Sequence, residues 1–565
     1  MRELDYGHTV YDTLVIGAGG AGLAAAIASA GNGAKTAIIS KGPCGRSGAT
    51  YYNLAELGAY NCPDDSGNVN DSVETFYEDI MSAALGMSSA GLSRIVAEQS
   101  SICLDEILHM PGGDRIFQKD SGRYMVFKSC FSSKPRAHIM HDHFRPLLEV
   151  LLRQAASLPV DMIENVTVAD LIVSDGVCCG AYGYDAEGNE VVVRAKNTIL
   201  AAGGASKIFA HNMYPDDITG DSYAMAYRAG ACLTNLEFIQ MGIGVGHPFV
   251  NLFENYLWNC YPTLKNAQGK AFLASYLPDG LDTRTVIRDK SAHFPFSTRD
   301  YSKYVEIAIK SEIDRGNVNG HGCVYLDVKG KDFDALLREE NEFSKMWDTT
   351  YNWYRQKGID ILEQPLEVAC FAHAINGGVL IDENAMSSVE GLYAAGECAA
   401  GPHGADRLGG NMSLASMVFG RIAGMRSAER AAAVTLIPDV DAEIKQLRDF
   451  WRGISLNPGI TEREVMDKIG KESDRALLVI RSGERLEKYL DALDACRKAC
   501  IGENTGRQDA VSVLNAIETG KLIARAALER KESRGGHYRE DYPKQNDEYD
   551  ENILISSKGI VFSDI

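Results

Sequence analysis

The chain has 565 residues, of which 45% are hydrophobic and 24% are charged, the balance of a globular protein with about three to four domains. Its formal net charge of -20 argues against nucleic acid and anionic membrane surfaces as partners. No apolar run reaches the roughly 20 residues that cross a membrane, and the first residues lack the charged region and cleavage site of a signal peptide.

The cysteines favour a reducing compartment, because there are thirteen of them, an odd number, scattered along the chain. We therefore expect a cytoplasmic protein. Three local patterns each offer half of a metal site: Cys178 with Cys179, Cys496 with Cys500, and His138 with His141 and His143. No second half is visible, so we interpret these residues as structural thiols and packing histidines and predict no metal site.

The first elements are predicted from "TLVIGAGGAGLAAAIASAGNGAKTAIIS", which has the pattern strand, glycine turn, helix, strand. Gly17, Gly19 and Gly22 form GxGxxG after the strand and at the start of the helix. This arrangement predicts a dinucleotide pyrophosphate at the helix N-terminus. An acidic residue usually ends the second strand and binds the adenosine ribose, but Ser40 and Lys41 stand here, so that contact must differ.

Two further segments combine a strand with glycines, "NTILAAGGAS" from residue 197 and "GVLIDENAMSSVEGLYAAGECAAG" from residue 378. The second contains "EGLYAAGE", a pattern with which flavoproteins of the two-dinucleotide-binding type end a strand. Three such pieces predict one FAD-binding domain assembled from residues 1–245 and 351–435.

Residues 246–350 contain a hairpin-like NxxG turn and a helix with a Ser/Thr start, which predict an α+β capping domain. Residues 436–545 carry apolar side chains at three- and four-residue spacing, which predicts a bundle of three to four helices. The polar segment "GGHYREDYPKQNDEYDENILISS", residues 535–557, is predicted to be loop-like, and residues 546–565 are assigned as the tail. The predicted fold class is α/β: a Rossmann-like FAD-binding domain with an inserted capping domain and a C-terminal helical bundle.

The loop "GECAAGPHGADRLGGN" places Glu397, His403 and Arg407 in backbone too rich in glycine for a helix. Glycine lets the main chain adopt positive φ and approach a ligand closely, so this is a candidate ligand-binding loop. An ordinary surface loop is the alternative. The other motifs of the chain favour ligand binding.

Taken together, these motifs resemble the flavoprotein subunit of the succinate dehydrogenase and fumarate reductase superfamily, which includes L-aspartate oxidase and the adenylylsulfate reductase alpha subunit. The resemblance covers nearly the whole chain and rests on "VIGAGGAGLAAAI", "KGPCGRSGAT", "ILAAGGAS", "TGDSYAMAYRAGACLTNLEFIQ", "AHAINGGVLID", "GLYAAGECAAGPHGADRLGGN" and "ESRGGHYREDYP". It implies bound FAD, hydride transfer between flavin N5 and a substrate carbon, and a capping domain that closes over the site.

The resemblance also implies roles for individual residues. Arg299, in "STRDYSK", matches the arginine that donates a proton to substrate in the reductases. His373 and Arg407 match the pair that binds a substrate carboxylate, with His403 beside them as a further candidate substrate-binding residue. A planar guanidinium forms two parallel charge-assisted bonds to such a group. Glu397 matches the acid that binds the flavin ribityl chain.

The cofactor itself is expected against small and polar residues of these motifs. The candidate FAD-binding residues are Gly17, Gly19, Gly20, Gly22, Ser40, Lys41, Ser47, Gly48, Ala49, Thr50, Ala202, Gly203, Gly204, Asp221, Glu397, Asn411, Ser413 and Leu414. Members with covalent flavin have a histidine where this chain has Gly48, so the sequence predicts noncovalent FAD.

The substrate-binding pattern differs from that of the dicarboxylate members. After Gln240, residues 241–244 replace an aromatic-His-Pro-Thr sequence, and His247-Pro248 is displaced. The downstream Thr-Glu and Arg-Gly-Glu elements are replaced by an aromatic stretch that includes Trp258. We therefore expect a small organic acid other than fumarate, with Trp258 as a candidate substrate-binding residue. Packing of these aromatic residues inside the cap is the alternative.

The electron carrier is expected to be a separate protein, because the chain has no cysteine spacing for an iron–sulfur cluster. The C-terminal segment "ESRGGHYREDYP" resembles the region that lies near an iron–sulfur subunit in family complexes. We expect an iron–sulfur or ferredoxin-like partner, with a soluble carrier or oxygen as alternatives. Two other functions stay open: flavin–sulfur adduct chemistry like that of adenylylsulfate reductase, and a noncatalytic flavin electron-relay subunit.

Overall fold

The computed structural model describes residues 4–52, 58–64, 66, 70–339, 341–434, 439–500 and 507–565. The helices are α1 (Gly20–Gly31), α2 (Val73–Ala84), α3 (Ala90–His109), α4 (Arg145–Ala156), α5 (Asp221–Arg228), α6 (Thr283–Lys290), α7 (Lys303–Asp314), α8 (Phe333–Leu337), α9 (Glu342–Gln356), α10 (Asn411–Ala433), α11 (Asp441–Arg452), α12 (Glu462–Ala476), α13 (Gly483–Ala499) and α14 (Arg507–Glu529).

The strands are β1 (Leu4–Tyr11), β2 (Thr13–Ile16), β3 (Thr36–Ile39), β4 (Gly58–Asn61), β5 (Lys119–Asp120), β6 (Arg123–Tyr124), β7 (Val126–Phe127), β8 (Ala137–Met140), β9 (Val160–Ile163), β10 (Val166–Ser174), β11 (Val177–Asp185), β12 (Glu190–Ala195), β13 (Thr198–Leu200), β14 (Leu233–Thr234), β15 (Ile239–His247), β16 (Asn251–Leu252), β17 (Thr263–Lys265), β18 (Val324–Asp327), β19 (Leu366–Ile375), β20 (Gly378–Leu380), β21 (Leu392–Ala394), β22 (Ala399–Ala400), β23 (Asn552–Ser556) and β24 (Gly559–Ser563). The mixture of helices and sheets confirms the predicted α/β class.

A parallel sheet in the order β21-β13-β2-β3-β9 forms the centre of the molecule. Adjacent strands pair in register, with Leu14 opposite Ala37 and opposite Thr198. The segments "TLVI" and "TAII" are buried at every position, as expected for strands covered on both faces. Because parallel strands end at one edge, the turns after β2, β3, β13 and β21 meet there.

Helices α1 and α10 pack closely because their contact surfaces consist of glycine and alanine. A Cβ atom on Gly420 would lie 2.6 Å from the Ala21 carbonyl oxygen, and one on Gly424 would lie 2.2 Å from that of Ala25. Larger side chains on α10 would therefore push α1 away from the sheet. This packing fixes the N-terminus of α1 at the sheet edge.

A second sheet, in the order β16-β15-β19-β18-β17, contains the inserted segment. Strand β15 runs through the predicted boundary at residue 245, because it pairs with β19 as far as His247. Helix α9 likewise runs through the predicted boundary at 350. The boundary between 435 and 436 lies outside the described residues.

The C-terminal region contains helices α11 to α14, in the range where a bundle of three to four helices was expected. The prediction that residues 535–557 are loop-like is wrong for β23, because β23 and β24 form a hairpin that joins the sheet β22-β20-β14-β23-β24. Ile553 and Ile555 are buried where β23 pairs with β14, which explains why this polar segment is extended.

Buried ion pairs hold the segment that follows α14. Arg530 donates to Glu237 over 2.6 Å and to Glu532 over 2.9 Å, and these three side chains are fully buried. Arg534 donates to Glu532 over 2.8 Å. No helix among the described residues combines the length and apolar character needed to cross a bilayer.

Candidate active site

A cavity of about 310 Å³ lies at the edge where the parallel strands end. The turns after β2, β3 and β13 and the short helical turn Gly396–Cys398 contribute to its wall. The sequence-predicted residues that line it are Gly17, Gly19, Gly20, Ser40, Lys41, Ser47, Gly48, Ala49, Thr50, Ala202, Gly203, Asp221, His373, Glu397, Arg407 and Ser413. Separate motifs therefore contribute to one cavity.

The glycine turn after β2 has no space for side chains. Gly17 has φ of 109°, and a Cβ atom there would lie 2.3 Å from the Ala201 carbonyl oxygen. A Cβ atom on Gly22 would lie 1.9 Å from the Gly17 carbonyl oxygen. The Gly20 amide donates to Thr50 Oγ1 over 3.2 Å. The turn thus presents the N-terminus of α1 to the cavity, where a phosphate would be stabilised.

Lys41 and Asp221 form an ion pair on the cavity wall. Lys41 Nζ lies 2.9 Å from Asp221 Oδ2, and Asn515 Nδ2 donates to Asp221 Oδ1 over 2.8 Å. Asp221 begins helix α5, far from β3 in sequence. A carboxylate therefore lies beside Lys41 at the end of β3, although it comes from a distant segment of the chain.

The loop that carries Gly48 is held by a carboxyl group that the sequence did not indicate. Gly48 has φ of 76°, and its amide donates to Asp217 Oδ2 over 2.9 Å. Asp217 also lines the cavity, and burial raises its pKa. No motif surrounds Asp217, so only the fold reveals it.

Glu397 is a buried acid at the centre of the cavity wall. Its Oε1 atom accepts the Ile375 amide over 3.1 Å. Burial raises the pKa of Glu397 to about 7, although this hydrogen bond and the charge of Arg407 act in the opposite direction. A Cβ atom on Gly204 would lie 2.1 Å from Oε1, so glycine is required beside the carboxyl group.

Some predicted cofactor residues lie behind the wall. Gly22 and Gly204 are the close-packed glycines described above and do not line the cavity. Asn411 accepts from Asn61 over 2.6 Å, and Leu414 is fully buried at the start of α10. The structure therefore places these four residues in support of the wall.

His373 and Arg407 converge on the cavity from different elements. His373 lies on β19, with its ring stacked on Tyr214 at 5.3 Å and edge-on to Phe294 at 5.7 Å. Arg407 Nη1 donates to the Leu408 carbonyl over 2.9 Å. His373 Nδ1 and Arg407 Nε have no hydrogen-bond partner among the described residues. Buried polar atoms without partners are costly, so this pair has capacity for an anion.

Electrostatics make Arg407 the main positive charge of this pair. Burial, followed by the charge of Arg407, lowers the pKa of His373 to about 3, so its imidazole is neutral near pH 7. The same two causes lower the pKa of His403 to about 3. His403 is buried beside Arg407 but does not line the cavity.

Arg299 lies outside the cavity wall. Its Nε and Nη2 atoms are each 3.0 Å from Asp406 Oδ2, and Nη2 also donates to the Ala83 carbonyl. The guanidinium lies over the ring of Phe131 at 4.3 Å. Arg299 is thus held by Asp406, which precedes Arg407 in the chain.

Trp258 is 1% exposed and packs edge-on against Phe253, with ring centroids 5.3 Å apart. It does not line the cavity. This placement corresponds to the packing alternative, because the aromatic stretch fills the interior of the inserted segment.

Several cavity residues were not found from the sequence. Tyr214 stacks on His373, and Cys130 accepts the Phe294 amide over 3.1 Å. Burial raises the pKa of the Cys130 thiol to about 11. Glu254 and Asn255 line the cavity from the stretch that replaces the dicarboxylate elements. A weak signal existed there, since Glu254 is the one charged residue in the segment 249–263, which is rich in aromatic residues.

The local histidine and cysteine patterns do not form metal sites among the described residues. His138 Nε2 is 2.9 Å from Asp64, whereas His143 lines the cavity. The four cysteines of the two local cysteine patterns are buried free thiols. The grouping that could hold a metal lies elsewhere and is described below.

Residues 12–413 match the family model described as FAD binding domain, and residues 466–558 match fumarate reductase flavoprotein C-term. One component of the fumarate reductase (CoM/CoB) of Methanothermobacter marburgensis is 30% identical, with 97% of each chain covered. L-aspartate oxidase of Pseudomonas aeruginosa is 29% identical, covering 97% of this chain and 98% of the relative.

Among solved structures, Mycobacterium smegmatis Sdh1 in complex with UQ1 superposes with a TM-score of 0.81 at 26% identity. The superposition covers 98% of this chain and 94% of that chain. The similarity therefore extends over nearly the whole chain and is not confined to the nucleotide-binding turn.

The raised pKa of Glu397 generates a test of the geometry. The folded chain keeps this proton between the ordinary pKa of 4.5 and about 7, whereas the unfolded chain releases it. The free energy of unfolding therefore falls as pH rises through this window. We expect Glu397→Gln to remove that dependence. The free energy of unfolding of the variant, relative to that of the unchanged chain, should therefore rise by about 2 kcal/mol between about pH 5 and about pH 8.

The measurement is the apparent Tm of flavin-depleted protein at both pH values. Glu487→Gln, at an exposed position on α13, is the matched control and should show no such difference. An equal effect of Glu397→Gln at both pH values would contradict the assignment.

Proposed function

Because the chain belongs to the FAD-binding family that includes the fumarate reductase flavoproteins, we propose that it transfers hydride between flavin N5 and a small organic acid other than fumarate. The predicted family, the FAD cofactor and the assignment as an FAD-dependent oxidoreductase are confirmed. FAD supplies the redox chemistry when bound, and the residues of this chain bind and orient the cofactor and the acid.

The cavity has features that fit FAD. Backbone contacts exclude a side chain at Gly17 and at Gly22, and the turn they shape presents Gly17, Gly19 and Gly20 to the cavity at the N-terminus of α1. This turn would hold the pyrophosphate. Asp221 would bind the adenosine ribose, and Glu397 the ribityl chain. Gly204 supports the last role, because it lets the carboxyl group of Glu397 approach the backbone closely.

The observation that carries the proposal is the pair of unpartnered atoms, Arg407 Nε and His373 Nδ1, in the same cavity. Arg407 is 6% exposed, so an anion there would be little screened by water. A carboxylate would accept from the guanidinium and from neutral His373. We assign these two residues to binding and orienting one carboxylate of the substrate.

The other end of the substrate meets a different environment. Of the described cavity-lining residues, Arg407 and Lys41 carry the fixed positive charges, and Lys41 is paired with Asp221. Glu254 also lines the cavity, close enough to Cys130 to contribute to its raised pKa. Apart from Arg407, the described cavity wall has no unpaired fixed cation for a second carboxylate. This favours a monocarboxylate or an acid with a polar, uncharged end.

Arg299 is the proposed proton donor to the substrate. Two contacts with Asp406, the residue that precedes Arg407 in the chain, orient its guanidinium. Guanidinium is a weak acid, so this role requires a strongly basic acceptor in a dry site. The Asp406 carboxylate that orients Arg299 is fully buried, whereas the Arg299 side chain is 21% exposed, so the role requires the inserted segment to close over the bound acid.

The carboxylate-binding role is tested with Arg407→Lys. Reduced methyl viologen supplies electrons, and α,β-unsaturated monocarboxylates are compared with fumarate. Lysine keeps the charge but loses the two parallel bonds, so we expect kcat/KM to fall at least about tenfold with flavin content unchanged.

Arg421→Lys, which changes a surface ion pair with Glu106, is the matched control. Unchanged kcat/KM in Arg407→Lys would refute the assignment. A preference for fumarate over every monocarboxylate would refute the substrate class.

The proton-donor role is tested with Arg299→Ala in the same assay. Loss of a general acid lowers kcat by about 10²–10⁴-fold, and bound FAD should remain, because Arg299 lies outside the cavity wall. Arg288→Ala, at an exposed arginine of the same inserted segment, serves as the control. Normal turnover in Arg299→Ala would exclude this role.

Noncovalent FAD is proposed because Gly48 has no side chain and its amide is held by Asp217. We expect acid precipitation of the purified protein to release FAD into the supernatant. The check is fluorescence of the protein band after denaturing electrophoresis. A band that stays fluorescent would overturn the proposal.

The electron carrier is proposed to be a separate iron–sulfur or ferredoxin-like protein, and the compartment to be the cytoplasm. The free state of all thirteen cysteines supports a reducing compartment. The buried ion pairs of Arg530 and Arg534 hold the segment "ESRGGHYREDYP", which resembles the region near an iron–sulfur subunit in family complexes. A reduced ferredoxin that fails to reduce the bound flavin would contradict the carrier class.

A further inference from the structure

Two histidines and a glutamate meet at one end of the inserted sheet, away from the residues assigned above. His247 ends β15, and Glu367 lies near the start of β19 as its cross-strand partner. His321 belongs to the turn that leads into β18. The imidazole rings of His247 and His321 are stacked, with centroids 3.6 Å apart and planes inclined by 12°.

The polar atoms of this cluster face one another. His321 Nδ1 is 2.7 Å from Glu367 Oε2, and His247 Nδ1 is 3.5 Å from Glu367 Oε1. Each of the three side chains offers a ligand atom, and these atoms all lie within 4.8 Å of one another. Rotation of one imidazole out of the stack would aim both ring nitrogens at one ion about 2.0–2.2 Å away, with ligand atoms roughly 3.3 Å apart.

The cluster has a supporting layer of hydrogen bonds. Asn319 Nδ2 donates to Glu367 Oε2 over 2.7 Å. Asn319 Oδ1 accepts the amides of His321 and Cys323, each over 3.0 Å. One side chain thus orients the carboxylate and fixes the turn that carries His321. In metal sites, hydrogen bonds from residues that do not bind the ion orient the residues that do.

The chemistry of the three groups favours a cation between them. Two protonated imidazoles stacked at this distance would repel each other, whereas neutral imidazoles present lone pairs. Two imidazoles and one carboxylate are the protein ligands of zinc sites that keep an open coordination position. The side chains of His247, His321 and Glu367 are 43%, 49% and 22% exposed, so water has access to complete the coordination.

We propose that His247, His321 and Glu367 bind a divalent first-row transition-metal ion, for which zinc is the probe. This site is independent of the proposed redox function. It differs from the sequence prediction that the chain has no metal site, which local patterns alone suggested, because the three proposed ligands are far apart in sequence. His247 was visible in the sequence as part of a displaced His-Pro pair, but its partners were not.

The ion would join three segments of the inserted sheet. The opposite ends of β15 and β19 carry Gln240 and His373, which both line the cavity. Bound metal would thus stabilise the strands that hold these residues. The expected effect is on stability, since binding to the folded state alone raises Tm.

The test uses the complete chain with its flavin bound, treated with a chelator, dialysed and titrated with zinc chloride by calorimetry. We expect one zinc ion per chain and a higher Tm with zinc. His321→Ala and Glu367→Gln should each weaken zinc binding at least about tenfold. His109→Ala removes another exposed histidine beside a carboxylate, on α3, and should leave zinc binding unchanged.

Flavin content and metal-free Tm show whether each variant is folded; His247→Ala provides a second ligand deletion if Glu367→Gln disturbs Asn319. Binding of Co²⁺ gives an independent readout, because its ligand-field absorption should lose intensity in His321→Ala. Zinc binding of equal affinity in the unchanged chain, His247→Ala and His321→Ala would overturn the proposal. Absence of saturable zinc binding to the unchanged chain would overturn it as well.

Discussion

The parallel pairing of β2, β3, β13 and β21 is the constraint on which the cavity depends. These strands are drawn from residues 13–394, yet they end at one edge, so their turns meet. Parallel strands require long connections, and the inserted sheet is placed in the connection between β13 and β21. That insertion brings β19 to the cavity, where the Ile375 amide donates to Glu397.

The cavity keeps groups that a purely structural interior would not retain. Arg407 is buried with an unpartnered nitrogen, and Glu397 has a raised pKa because burial disfavours its charged form. Both features lower stability in the absence of a ligand. Local conflicts of this kind concentrate at functional sites, because a bound group supplies the missing partners.

The inserted segment shows how one region performs two tasks. Its aromatic stretch buries Trp258 and so forms a hydrophobic interior. Neighbouring positions Glu254 and Asn255 face the cavity. Met241, the first of the four residues that replace the aromatic-His-Pro-Thr sequence, is fully buried, and its sulfur accepts the Val479 amide over 2.9 Å. The segment that differs from the dicarboxylate members therefore supports the fold as well as lining the cavity.

The sequence by itself determined the features that depend on neighbouring residues. The GxGxxG turn was predictable because Gly22 is required by its contact with the Gly17 carbonyl within one strand-turn-helix unit, although Gly17 itself packs against the distant Ala201. The C-terminal helices were predictable from their apolar spacing. The confirmed α/β class and FAD cofactor followed from such local motifs.

Only the tertiary structure decided which polar side chains share a space. Arg299 contacts Asp406 outside the cavity wall, and Tyr214 stacks on His373 inside it, although neither contact has a local pattern. Residues 552–556 form strand β23 because they pair with β14. Hydrogen bonding, burial and charge at these positions depend on residues hundreds of positions away, and no local spacing encodes that proximity.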